Sequence, residues 1–492
     1  MSTNQGLGHA GLRGFAWSYG ALALATAAQM AYTIVTAKMV VPSGFAAYAL
    51  SLSVLQLAGI FASSALGSSV ARASALSDRV IRTAATLAIL SGFATFLVLE
   101  SLVPLVKAFW DVPLLSITLR LLALQVLILP LSSVLLAALR RMLRFKAAAG
   151  IELIAQLTGF AASVGLLVSD HGPVSLVASP IVASVVQLLL AWPTLRARLT
   201  PLIDRTFARE ALSFAAHIAG QNVARSGIAN TTLWIAGVVS SAGTTGQLSR
   251  ALLLALLPLD QAFAAFSRVA YPLVSSIGSD LPRLRGVVTD LLRGIAYPAA
   301  QIFAIAAATS PLVVPLILGP QWKEAGSLAA LFLCTSLPRL VYACTSVVAE
   351  ARRSLRGVWA AILVQYLVLA VGIVFVLLLG GGTRSLILLS GAGFVAGAIV
   401  QLRFAAQEGW IDGRSLANPF AWSVVAASVT YLLVVLVQDA VRSDVFAPFA
   451  GTIVGLVSAV LLGCVPWMAA TRTGVRRRLM TRTLAVESGM TR

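Results

Sequence analysis

Charge is scarce in this sequence. Only 11% of its 492 residues are Asp, Glu, Lys or Arg, against roughly 25% in an ordinary soluble domain. With 59% hydrophobic residues and a mean hydropathy of +0.92, a soluble core of this length is excluded. No stretch reads as a separate soluble domain. Histidine is nearly missing: His9, His171 and His217 are the full set and form no cluster for a metal. Cys334, Cys344 and Cys464 all fall in apolar runs without ligand spacing, so neither a disulfide framework nor a metal site is expected. No Gly-rich loop precedes a lysine to cradle phosphates, which argues against ATP hydrolysis and against a bound cofactor. Outer loops are short throughout, unlike those of membrane glycosyltransferases and polymerases. No small-residue cleavage site follows the first apolar run, which is expected to be a retained helix.

What the chain does have is apolar runs of membrane-spanning length, about 20 residues. Fourteen are expected, at 14–36, 44–66, 84–106, 114–139, 147–168, 173–194, 211–240, 246–271, 291–318, 325–349, 357–379, 386–407, 419–438 and 446–469. The fold class is therefore an all-α polytopic membrane protein. The seventh and ninth spans are long enough to be tilted or broken. An even count puts both termini on one side. With the N-terminus inside, 26 of the 36 Lys and Arg residues fall in inner loops and the tail. Only 5 fall in outer loops: Lys38, Lys107, Lys323, Arg384 and Arg442. That asymmetry is the positive-inside pattern. It explains the net charge of +19 by topology, with no nucleic-acid partner.

The inner connection 196–210 divides six spans from the next six. The expected organisation is an N-terminal lobe (1–195), this linker, a C-terminal lobe (211–410), a terminal helix pair (411–470) and a basic cytoplasmic tail (471–492). The linker mixes Arg198, Leu199, Leu202, Arg205 and Phe207, as an interfacial amphipathic helix would. Gly44 and Gly243 each open an even-numbered span, in keeping with a repeated half.

Five arginines lie inside spans: Arg120, Arg225, Arg250, Arg268 and Arg339. Each costs roughly 2.5–3.5 kcal/mol at a helix centre, so such residues usually face protein or an aqueous cavity. Arg225 ends a polar stripe. Spacings of four set His217, Gln221 and Arg225 on one helix face, with Asn222 beside them. The functional reading is an anion site, since guanidinium pairs with phosphate oxygens. The plainer reading is snorkelling or an interhelical ion pair. Arg250 carries the same two readings. Arg120 and Arg268 sit near span ends and favour snorkelling, and Arg339 favours a structural role. Asp260, mid-span after Pro258, is a coupling-ion or proton site, or a counter-ion. Glu100 and Glu152 are expected at interfaces.

Four segments carry a resemblance: "TAKMVVPSGFAAYAL" at 36–50, "LLAALRRMLRFKAAAG" at 135–150, "LILGPQWKEAGSLAALF" at 316–332 with its Gly319, Trp322 and Ala325, and "AGTTGQLSRALLLALLP" at 242–258. They resemble the polysaccharide transporter (oligosaccharide flippase, Wzx-like) family of the multidrug/oligosaccharidyl-lipid/polysaccharide exporter superfamily. Gln247 stands where that family often has Tyr. The resemblance implies two lobes about a central cavity, alternating access and no nucleotide hydrolysis. It implies a polyprenyl-diphosphate-linked oligosaccharide as substrate, and placement in the bacterial cytoplasmic membrane with both termini cytoplasmic. Membrane lipids are expected partners, with a polysaccharide polymerase or glycosyltransferases beside them. Arg225 and Arg250 are the candidates for the diphosphate, and His217, Gln221 and Asn222 for sugar or phosphate. Rival readings are a lipid II flippase, a cation-coupled drug exporter and a non-transporting scaffold of a glycan-assembly complex. Spans 1, 2, 4 and 6 contain no Asp or Glu, which weighs against the exporter.

Overall fold

A computed structural model describes residues 24–64, 69–70, 77–195, 200–277, 280–352, 354–441 and 446–463. The expected basic tail lies outside these residues, as do Arg13, Arg72, Arg196, Arg198, Arg353 and Arg442. Among the described residues there is no strand. The helices, in order, are α1 (24–39), α2 (Pro42–Gly59), α3 (Asp78–Phe109), α4 (Leu115–Arg141), α5 (Phe145–Val168) and α6 (Ala178–Leu195). They continue with α7 (Arg205–Val239), α8 (Ala242–Ile277), α9 (Leu281–Leu318), α10 (Lys323–Cys334), α11 (Ser336–Ala351), α12 (Arg356–Leu378), α13 (Thr383–Gln407) and α14 (Gly413–Ala440). α15 covers Ala447–Gly463.

Ten described helices are long and apolar enough to cross a membrane, or eleven if the bent pair α10–α11 is one span. α7 is not among them, because its polar stripe dilutes its hydropathy. The described parts of α1 and α15 are short, and the expected first and last spans extend beyond the described residues.

Of the two alternatives for the long spans, tilted or broken, the helices show no break. α7 and α9 run unbroken, and the tenth expected span is the one that bends, by 51° between Cys334 and Ser336. The cause is local. Pro338 lacks an N–H and its ring crowds the carbonyl four residues back, that of Cys334. Thr335 Oγ1 and Ser336 Oγ then donate to the Phe332 carbonyl at 2.8 and 3.0 Å.

The linker's described part is helical only from Arg205, where it already belongs to α7. Residues 200–204 are non-helical. The Leu202 and Asp204 amides donate to Thr86 Oγ1 (3.2 Å) and Thr83 Oγ1 (3.0 Å), and Arg82 Nε donates to the Thr200 carbonyl at 3.1 Å. These side chains lie on the first turns of α3 and hold the linker as extended chain. Asp204 then caps α7, accepting from the Thr206 and Phe207 amides, which fixes the helix start at Arg205.

The chain divides into two compact units. The first comprises Met1–Arg250, Ile317–Trp322 and Val376–Leu386; the second comprises Ala251–Leu316, Lys323–Phe375 and Ile387–Arg492. In the first, Leu55, Leu99, Leu122, Val126 and Val177 form a buried cluster. Gly159 of α5 lies so close to the Ser179 carbonyl of α6 that any side chain there would collide. Small residues let membrane helices approach in this way. In the second, Val341, Tyr342, Ala361 and Ala398 cluster. Polar side chains join its helices: Thr430 Oγ1 donates to Gln301 Oε1 at 2.7 Å, and Thr345 Oγ1 to Gln401 Oε1 at 2.7 Å. Outside, α12 exposes an apolar stripe of Leu363, Leu367, Val371, Val374 and Leu378, as a lipid-facing helix does.

Candidate functional site

The first unit contains one deeply buried cation on α8. Arg250 is 6% exposed. It stands nine residues into its helix. Its guanidinium lies over the Phe45 ring, 3.9 Å from the centroid. No carboxylate pairs with it among the described residues, and its Nε is buried without a hydrogen-bond acceptor. Tyr32 and Tyr48 lie within its electrostatic reach. Tyr32 is itself fixed, stacked on Phe160 at 4.3 Å and sharing a hydrogen bond of 2.9 Å with Ser163 Oγ.

Magnitudes show that this arginine is under-compensated. Its insertion cost is about 2.5–3.5 kcal/mol. A cation–π contact returns about 0.5–1 kcal/mol when exposed and about 2 when desolvated. The contact with Phe45 offsets only part of that cost.

The frame around Phe45 is rigid. Trp322 packs edge-on against Phe45 with centroids 5.3 Å apart. Its Nε1 donates to the Ala37 carbonyl at 2.8 Å, and Gln321 Nε2 donates to the same oxygen at 3.0 Å. Ala37 lies in the last turn of α1, where carbonyls have no intrahelical partner. Gln247 Nε2 donates to the Gln321 carbonyl at 2.5 Å. Gly246 sits against the Pro42 carbonyl, where a Cβ would overlap the oxygen. Gln247, in the place of the family's frequent Tyr, is thus a structural donor.

The other expected residues lie on α7 and further along α8. Gln221, Asn222 and Arg225 are half-buried on unbroken α7, with Gln221 and Arg225 one turn apart on the same face. His217 is on that helix, but its side chain lies outside the described residues. No hydrogen bond or ion pair joins Gln221 or Asn222 to Arg250 among the described residues. Asp260 belongs to the second unit and is exposed on α8, which continues through Pro258. Arg339, also in the second unit, is buried, and its Nε, like that of Arg250, has no acceptor among the described residues. It lies over Phe332 (3.9 Å) and Phe394 (4.4 Å) and donates to Ser390 Oγ at 3.1 Å. Arg120 pairs with Glu100 at 3.7 Å, and Arg140 pairs with Glu152. Among the described residues no group of His, Cys, Asp or Glu is placed to hold a metal.

Sequence reasoning missed Phe45, Tyr32 and Tyr48, and named Trp322 only as part of a family-like segment. A signal existed for three of them: Phe45 and Tyr48 lie in the first family-like segment and Trp322 in the third. The segment at 242–258 supplies Arg250 itself.

The family model described as "Polysaccharide biosynthesis protein" matches residues 35–327, more than half of the chain. No curated protein matches it in sequence. Among solved structures it is similar to the lipid II flippase MurJ in an inward closed conformation, with a TM-score of 0.71 at 13% identity, covering 92% of this chain and 99% of that one. An inward-facing multidrug resistance MATE transporter of the MOP superfamily aligns with a TM-score of 0.63 at 15% identity, over 78% of this chain and 94% of that one. A MOP superfamily transporter from Pyrococcus furiosus aligns at 0.53 and 15%, over 80% and 95%. Matched over more than half of its length, the chain belongs to the polysaccharide biosynthesis protein family and has the helical fold of the membrane transporters it aligns with.

Proposed function

We propose that this protein is a flippase that moves a polyprenyl-diphosphate-linked oligosaccharide across the cytoplasmic membrane by alternating access, for cell-surface polysaccharide synthesis. The observation that carries the reading is Arg250: a buried cation on a rigid aromatic seat, with no carboxylate partner among the described residues. A diphosphate supplies the missing charge and bonds to a guanidinium fork. Arg225 provides a second cation, and His217, Gln221 and Asn222 bond sugar or phosphate. The lipid tail stays in the bilayer. Asp260, exposed mid-way along a membrane helix, is the coupling-ion or proton site.

In this reading the chain has fourteen spans, arranged as two six-helix lobes and a terminal pair. Both termini are cytoplasmic, and a polymerase or glycosyltransferases receive or supply the glycan. Lipid II is the second substrate reading. It is favoured by the fold likeness to a lipid II flippase over 92% of the chain and needs the same diphosphate chemistry. A drug exporter is disfavoured, since α1, α2, α4 and α6 carry no acidic residue.

The test is translocation of a labelled polyprenyl-diphosphate oligosaccharide in proteoliposomes. Wild type is expected to transport, and folded Arg250→Ala and Arg225→Ala variants to lose most of the rate. Full rates in both variants would discard the cationic site. No transport by wild type with varied glycans and ion gradients would favour the exporter and scaffold readings.

A further inference from the structure

A second cationic feature lies in the first unit, away from the Arg250 cluster. Where α4 turns into α5, a cavity of about 570 Å³ opens between α5 and α6. Arg144 and Lys146 stand on its rim; Ile151, Ile154 and Leu190 form an apolar wall, ending at Thr194. The Arg144 guanidinium is held in place, its Nη1 donating to the Thr194 carbonyl at 2.6 Å. No carboxylate pairs with Arg144 among the described residues, whereas Arg140, one turn earlier, is neutralised by Glu152. Gly150, on the wall, has nothing within 4 Å of the place where a Cβ would stand, so the absence of a side chain keeps the space open. Trp192 (46% exposed) and Phe145 (37% exposed), sequence neighbours of the lining residues, are aromatic side chains of the kind that mark a membrane–water boundary.

We propose that this cavity binds an anionic glycerophospholipid of the inner leaflet. Its phosphodiester would sit between Arg144 and Lys146, and the upper part of an acyl chain would lie along Ile151, Ile154 and Leu190. Guanidinium and ammonium both suit a phosphate, and basic pockets between helices on the cytoplasmic side take anionic headgroups. The lining has no Asp or Glu to receive the ammonium of a zwitterionic lipid, so the site selects net negative charge. No residue of the Arg250 cluster lines it, which separates this lipid from the transported one.

The experiment is a native mass-spectrometric titration of the purified full chain with phosphatidylglycerol, with thermal melting as the check on folding. Expected is at least a tenfold loss of affinity in Arg144→Gln/Lys146→Gln. The same loss is expected in Gly150→Leu, which puts a branched side chain into the path of the acyl chain and leaves the charge alone. Arg356→Gln/Arg403→Gln, which removes two exposed cations elsewhere, should bind as wild type. Phosphatidylethanolamine should bind wild type at least tenfold more weakly. Wild-type affinity in Gly150→Leu, an equal loss in the Arg356/Arg403 variant, or equal binding of phosphatidylethanolamine would each overturn the proposal. So would displacement of phosphatidylglycerol by a polyprenyl diphosphate at lower concentration, which would make the groove a docking place for transported lipid.

Discussion

Replacing Arg250 by Met should make the protein more stable and leave it inactive. The substitution keeps length and apolar volume while removing a charge that is 6% exposed. Removing the charge relieves about 2.5–3.5 kcal/mol of insertion cost and forfeits about 0.5–2 kcal/mol of contact with Phe45. The expected gain is about 0.5–3 kcal/mol. A structural arginine behaves in the opposite way, since truncating one member of a buried pair costs about 3–5 kcal/mol. The assay is equilibrium unfolding in mixed micelles, run beside flipping in proteoliposomes. A loss of more than about 1 kcal/mol in Arg250→Met would refute the argument that this charge is held against stability.

Gly246→Ala places a Cβ on the Pro42 carbonyl and should cost about 1–3 kcal/mol as an overpacking change, read as a lower melting temperature; Gly243→Ala, which meets only Ser241 Oγ at 3.7 Å, should be tolerated. Thr83→Val with Thr86→Val removes the two hydroxyls that hold the linker. At about 0.5–1.5 kcal/mol per bond, hydrogen exchange at the Leu202 and Asp204 amides should quicken roughly 5-fold to 150-fold, while amides in the middle of α3 stay unchanged. Trp322→Phe keeps the packing on Phe45 and loses one of two donors to Ala37, for an expected cost of about 1 kcal/mol in the same unfolding assay.

Hydropathy made much of the helical plan legible, because a bilayer imposes length. The expected segments overlap helices from α1 to α15. The bend in the tenth span was written at Pro338, yet length alone pointed to the seventh and ninth. The linker misled over residues 200–204, because Arg and Leu alternate around them as on an amphipathic helix. The deciding contacts came from Thr83 and Thr86, more than a hundred residues away. The site was half legible. An arginine inside an apolar run announces itself by its cost, so Arg250 could be named. Its seat could not, because Phe45 and Arg250 are joined only in three dimensions and no periodicity links them. The same cost signal named Arg339, which lies against two rings and donates to a serine while its Nε, like that of Arg250, has no acceptor among the described residues; composition does not distinguish the two cases.

The two donors on Ala37 have an evolutionary consequence. Their acceptor is a main-chain oxygen, present whatever residue occupies position 37. Drift at that position cannot weaken the joint by removing the acceptor, and selection can adjust it only from the donor side, at Gln321 and Trp322. Natural variation among homologues should therefore be freer in chemical type at 37 than at 321 and 322, bounded at 37 by size alone, since that side chain is fully buried.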